Sequence, residues 1–170
     1  ISSNGGYAIK AYANIRNIHG NTLTGNGIQA IELSSASIHQ DTIWRNEGVP
    51  YIITDSNIYV YNSTTWSTTP VTLTIEAGVE IRFDPTTWLY IGNSSVYTGA
   101  LVAHGTAEQP IKFTSNAATP APGDWRGIYF YDGTHDATTV LEHCIVEYGG
   151  SYPTASQKAN LYLDSASPTI

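Results

Sequence analysis

Two stretches of the chain repeat one another: IHGNTLTGN from Ile18 and IHQDTIWRN from Ile38 both read I-H-x-[ND]-T-[LI]-x-x-N, and they start 20 residues apart. A period of this length marks a unit too small to bury its own apolar face, so successive units must stack. The opening ISSNGGYAI fits the same frame, with Ile1 matching Leu23 and Ile43, and Asn4 matching Asn26 and Asn46. Stacked turns would bring Asn4, Asn26 and Asn46 into a ladder of hydrogen-bonded amides.

Apolar cores recur at wider spacing farther along, in YIIT, LTIEAGVEIRF, GALVAHG, PIKFTS, GIYFY, LEHCIVEY and NLYL. Clusters of Gly, Pro, Asn and Ser separate them, as in NSTTWSTTP, TSNAATPAPGD and GGSYPTASQ, so they read as strands joined by turns and loops. Intervals of 20 to about 33 residues are too long for simple hairpins, and no helical stripe supplies the crossovers of an α/β sheet. In VEIRF, alternation turns Val79, Ile81 and Phe83 inward and Glu80 and Arg82 outward.

The expected architecture is all-β: one domain over residues 1–170, a single-stranded right-handed parallel β-helix of about seven coils without a capping helix. Short regular coils occupy residues 1–50, and longer coils with loop excursions occupy 51–170.

Only 12% of the 170 residues are charged, the net charge is −7, and seven Lys and Arg are spread along the chain. This argues against nucleic acid, whose binding depends on neutralising phosphates. No apolar run is long enough to span a bilayer, and no basic-then-apolar leader opens the sequence. A start at Ile1 without Met reads as a processed protein or an excerpt. Cys144, alone in LEHCIVEY, reads as a small buried hydrophobe; no disulfide framework or zinc-type spacing exists, and no cofactor is implied.

The succession LTIEAGVEIRF, GALVAHGTAEQPIKFTS, PGDWRGIYF, LEHCIVEYGG and NLYLDSASPTI resembles the right-handed parallel β-helix repeat proteins of bacterial and archaeal cell surfaces. The resemblance covers residues 71–170, and GGYAI…NTLTGNG is similar to the shorter coils of the same proteins. It implies an extracellular or cell-surface location and specifies architecture better than activity, because lyases, hydrolases, adhesins and structural proteins share the fold. It also makes Trp125 of GDWRGIYF a coil-corner residue, with Gly123 and Gly127 allowing the bend.

If Ile128 and Phe130 point inward, Tyr129 and Tyr131 point outward; with Trp44, Tyr59, Tyr61, Trp66 and Trp88 they offer an aromatic patch for carbohydrate or protein, or simply stack between coils. Trp88, Tyr129 and Tyr131 are the candidate glycan contacts. A glycoside hydrolase needs two flanking carboxylates, and Asp124 with Asp132 or Asp136, or Glu80 with Asp84, are the nearest pairs. A lyase needs an Arg or Lys base, for which Arg82, Lys112 and Arg126 are the candidates, yet no acidic cluster accompanies them to hold calcium. No residue is assigned as catalytic. His19 and His39 occupy equivalent repeat positions, but a third metal ligand is not evident. Asn62 in NST and Asn93 in NSS match the N-glycan acceptor pattern.

The ends complete the expectation. Neither supplies a cap, and SASPTI matched against SSASI places Ile170 in the position of Ile18 and Ile38. Ile1, Asn4, Tyr7 and Ile9 at one end, and Leu161, Leu163, Pro168 and Ile170 at the other, would form a joint. The leading expectation is an extracellular structural protein that assembles end to end, as stacked copies or tandem units. A carbohydrate-binding or adhesive module is the alternative, and a polysaccharide lyase or glycoside hydrolase ranks third.

Overall fold

The computed structural model describes residues 1–55, 57–151 and 158–170. Positions 152–157, which carry most of the predicted GGSYPTASQ loop, lie outside the described residues. Among the described residues all regular structure is strand, arranged in three sheets that the chain visits in turn.

Sheet A holds β1 (Tyr7–Tyr12), β2 (Ile28–Ser34), β5 (Tyr51–Ile53), β8 (Glu80–Phe83), β11 (Ile111–Ser115) and β14 (Cys144–Val146). Sheet B holds β3 (Ala36–Ile38), β6 (Ile58–Val60), β9 (Trp88–Ile91), β12 (Gly127–Phe130) and β15 (Leu161–Leu163). Sheet C holds β4 (Thr42–Trp44), β7 (Val71–Ile75), β10 (Gly99–His104) and β13 (Val140–Glu142). Every pairing between the described strands is parallel; the first coil goes from β1 to β2 within sheet A, and from β2 onward the chain runs A, B, C and back to A, one rung higher each time. The result is a parallel β-helix. Its longest sheet has six rungs, against about seven expected, because loop excursions stretch the later coils.

The period of two decides what is buried. In β7, Val71, Leu73 and Ile75 are buried while Thr72 and Thr74 are half-buried; Val79, Ile81 and Phe83 point inward and Glu80 and Arg82 outward, as the alternation predicts. Inward residues then stack rung on rung into rows, such as Ile38, Val60, Ile91 and Phe130 of sheet B. Val60, Ile91 and Phe130 are each covered above and below by row neighbours, and Ile38, in the edge strand β3, is also fully buried.

Two tryptophans belong to this interior. Trp44, grouped above with the outward aromatics, is 1% exposed, stacks on Tyr51 and donates its indole N–H to the Ala13 carbonyl at 3.3 Å. Trp125 is fully buried, with its ring 4.0 Å from that of Phe83 at an interplanar angle of 8°. Gly127, at φ 113, makes the bend beside Trp125; a Cβ there would sit 2.6 Å from the Ala159 carbonyl oxygen of the next coil.

The rung pairing corrects the register read from the repeats. Leu163, not Ile170, continues the row of Ile38, through Val60, Ile91 and Phe130. Ile170 follows Thr169, which bridges Val140 in sheet C. Ile43 is also out of step with Leu23: Leu23 is buried and Ile43 is 36% exposed, its inward neighbours being Thr42 and Trp44. Composition alone matched SASPTI to SSASI; the loops that lengthen later coils shift the register without leaving a mark in so short a motif.

Candidate functional site

Three features stand out on the solenoid: a polar groove outside sheet A, an aromatic row outside sheet B, and the two end rungs.

The groove, of about 370 Å³, has Glu80 and Arg82 of β8, Lys112 and Thr114 of β11, and Glu147 and Tyr148 after β14 on its floor. Asn116 to Pro120 in the loop after β11 form one wall. Register fixes the floor: Lys112 pairs with Glu80, and Thr114 with Arg82. The charges are spent on one another. Arg82 Nε lies 2.9 Å from Glu80 Oε1, and Lys112 Nζ lies 2.8 Å from Glu147 Oε1, which also accepts from the Thr114 hydroxyl at 2.9 Å. The hydrogen bond between Lys112 and Glu147 raises the lysine pKa and lowers that of the carboxyl. Lys112 thus stays protonated and Glu147 ionised at neutral pH, which suits neither to act as base or acid there.

The carboxylate pairs proposed for hydrolysis are dispersed. Asp124 is held below its ordinary range by the Ser115 hydroxyl at 2.6 Å and the Ala121 N–H at 2.9 Å. Asp136 accepts from the Ser167 N–H near the end of sheet C, and Asp84 accepts from Asn116 at 2.8 Å. Arg126 does not join Arg82 and Lys112: it lies next to β12, with its guanidinium 4.4 Å from the Trp88 ring centroid.

On sheet B the outward row is Ser37, Tyr59, Tyr90, Tyr129 and Tyr162. Successive tyrosine rings lie 4.9, 4.9 and 4.8 Å apart, at interplanar angles of 8°, 44° and 38°. Alternation put Tyr129 on the outer face correctly, but it is only 6% exposed, and Trp88 only 9%. Neither is the open aromatic expected from the sequence. Rungs stacked at β-strand spacing cover one another's ring faces, and Trp88 is sandwiched between Arg126 and the edge of Tyr90. Tyr131 is half-buried, 5.5 Å from Tyr129. The Tyr129 hydroxyl donates to Asp164 Oδ2 at 3.0 Å, and burial followed by this bond pushes its pKa upward. A sugar stacks on an open ring face, which Tyr129 does not present to solvent; Tyr59, Tyr90 and Tyr162 are half-buried, and Trp66 is 73% exposed.

Tyr90, Tyr162 and Asp164 were missed as site residues. The signal was a recurring tripeptide, Ile58-Tyr59-Val60, Leu89-Tyr90-Ile91, Ile128-Tyr129-Phe130 and Leu161-Tyr162-Leu163, at intervals too uneven to register as a period.

The remaining candidates are placed as follows. Asn4 Nδ2 donates to Asn26 Oδ1 at 2.5 Å, but the ladder stops there: the Asn26 amide donates to the Ile1 carbonyl at 3.2 Å, and that of Asn46 to the Ala77 carbonyl of the following coil at 3.0 Å. His39 Nδ1 lies 3.0 Å from the Tyr61 carbonyl oxygen, and among the described residues no three His, Cys, Asp or Glu gather as metal ligands. Asn62 forms an Asx turn, accepting from the Thr64 N–H at 2.9 Å while its amide donates to the Thr69 carbonyl; Asn93 is exposed in a loop. Cys144 is half-buried, and burial pushes its thiol up to about 11.

At the end rungs the dry interior opens. Ile38, Val60, Ile91 and Phe130 are each 0% exposed, whereas Leu163, next in their row, is 40% exposed. Leu161, Val146, Tyr7, Ile9 and Pro168 are half-buried, and Ile1 and Ile170 are 55% and 63% exposed. Among the described residues no helix is long and apolar enough to cross a membrane.

Three parallel sheets wound by one chain define a parallel β-helix protein. The family model for a pectate-lyase-like β-helix domain matches residues 48–160, and the chain belongs to that family. No curated protein and no solved structure matches it significantly.

Proposed function

We propose that the chain is a structural β-helix segment of an extracellular surface protein, and that further β-helix continues the solenoid past its end rungs, as more coils or as a second copy stacked head to tail. The observation that carries this is the sheet B row in which four residues are dry and the fifth, Leu163, is not. Covering the exposed 40% of Leu163 contributes about 1 kcal/mol, and pairing also satisfies the backbone groups of an exposed strand edge. In sheet A the row Lys10, Glu32, Ile52, Arg82, Thr114 reaches Glu147, so a following rung that repeats the first sets Lys10 beside Glu147, each already paired within the chain, to Glu32 at 2.7 Å and to Lys112 at 2.8 Å.

Hydrogen exchange on native surface material tests the reading. Amides of β14 and β15 should be protected like those of β11 and β12; exchange at the rate of a free edge would rule it out. Particle length in negative stain then separates stacked copies from a longer chain.

A second reading, carbohydrate binding, draws on the groove rather than on the aromatic row. Its paired carboxylates, amide and hydroxyls suit a neutral polyhydroxylated ligand better than a polyanion. Glycan-array binding that Glu147→Gln abolishes would support it, and binding unaffected by that change would count against it.

A further inference from the structure

The tyrosines of sheet B form a continuous outer row. Tyr59, Tyr90, Tyr129 and Tyr162 are Cα partners on successive rungs, so their rings are held at strand spacing, 4.8–4.9 Å between centroids. The rings on either side of Tyr129 are tilted against it by 44° and 38°, whereas Tyr59 and Tyr90 stack nearly parallel at 8°. Tyr129 has a carboxylate on its hydroxyl, Asp164 Oδ2 at 3.0 Å, which can take the phenolic proton. Half-buried Tyr131 lies beside it, ring centroids 5.5 Å apart.

We propose that this row is an oxidative cross-linking site, at which a one-electron oxidant driven by peroxide or persulfate joins Tyr129 by a carbon–carbon bond to a stacked neighbour, Tyr90 or Tyr162, and so staples successive coils. Each of the two phenols loses one electron to the oxidant and its hydroxyl proton, that of Tyr129 to Asp164. The phenoxyl radicals couple at the ring carbons ortho to oxygen. The two displaced ring hydrogens then move to the oxygens and restore both phenols. The net change is two electrons and two protons, and one persulfate takes up the electrons as it becomes two sulfates. The inference concerns interior rungs and does not depend on how the solenoid continues.

The test is photo-oxidation of the purified 170-residue chain with a ruthenium tris-bipyridyl sensitiser and persulfate, followed by dityrosine fluorescence and peptide mapping. Cleavage after Arg82, Lys112, Arg126 and Lys158 puts Tyr90, Tyr129 and Tyr162 in three different tryptic peptides. The expected product is a monomeric chain in which the Tyr129 peptide is joined to that of Tyr90 or Tyr162, two hydrogens lighter than their sum. Tyr129→Phe keeps the ring stack and should lose this product. Asp164→Asn keeps an acceptor oxygen but not its basicity; it should slow formation, with recovery in concentrated imidazole buffer. Cross-links confined to exposed Tyr12, products formed only between chains, or a yield unchanged in Tyr129→Phe would each overturn the proposal.

Discussion

Replacing Trp125 by Ala should cost more stability than most other single changes, and the structure says why. The side chain is fully buried, its ring is stacked on Phe83 at 4.0 Å, and its indole N–H donates to the Glu147 carbonyl at 2.8 Å. Truncating a buried Trp to Ala costs about 3–5 kcal/mol. The orphaned Glu147 carbonyl adds about 1–3 kcal/mol if it stays dry. A domain with about 5–15 kcal/mol in all is close to unfolding after such a loss, so Trp125→Phe is the more informative variant. It keeps most of the stack and removes the hydrogen bond, for an expected loss of about 1–2 kcal/mol. Urea unfolding followed by far-ultraviolet circular dichroism measures both. Because Glu147 carries the bonded carbonyl and also pairs with Lys112, Trp125→Phe should also speed hydrogen exchange at Glu147 and Tyr148. A loss below about 0.5 kcal/mol for Trp125→Ala, the range of ordinary surface changes, would refute the placement of this ring inside the coil.

Other substitutions and titrations probe different parts of the fold. Gly99→Ala would set a Cβ 1.9 Å from the Val60 carbonyl oxygen, so it should abolish soluble expression, whereas Gly20→Ala has open space and should cost only about 1 kcal/mol for its φ of 68°. The folded-state pKa of Glu147 is lowered, so its contribution is complete above the ordinary carboxylate range and lost as pH falls through the folded value; acid melts should show this loss in the wild type and not in Glu147→Gln. Lys112, raised, contributes below its ordinary range and loses that contribution only as pH rises through its folded value, which alkaline melts of Lys112→Gln would show by difference. Cys144, with its thiol at about 11, should react slowly with iodoacetamide at mildly alkaline pH and rapidly once urea opens β14.

Local pattern reached far into this molecule. The alternation in VEIRF fixed which side chains face the interior because a strand turns its side chains by a rule that needs no partner. The long, helix-free intervals likewise left parallel coils as the consistent arrangement, and the structure has them. Where one rung meets another, the sequence reached only the first coils: it paired Asn4 with Asn26, but Ile170 follows a sheet C bridge rather than sharing Ile38's row, because loops of different length separate the later equivalent strands.

The same division runs through the candidate sites. That Tyr129 stands outside the coil followed from its neighbours Ile128 and Phe130; that it is covered depended on Tyr90 and Tyr162, each more than 30 residues away. The acid partner of Lys112 was equally remote, since Glu147 enters the groove only through the pairing of β11 with β14. Sequence by itself determined the coiled class of the chain and the in-and-out order of its clearly alternating strands, such as VEIRF, but not that of β4, where Thr42 and Trp44 rather than Ile43 face inward. Tertiary structure alone decided the register of the later coils, burial of the outer aromatics and pairing of the groove charges, because these depend on loop lengths that set which rungs touch.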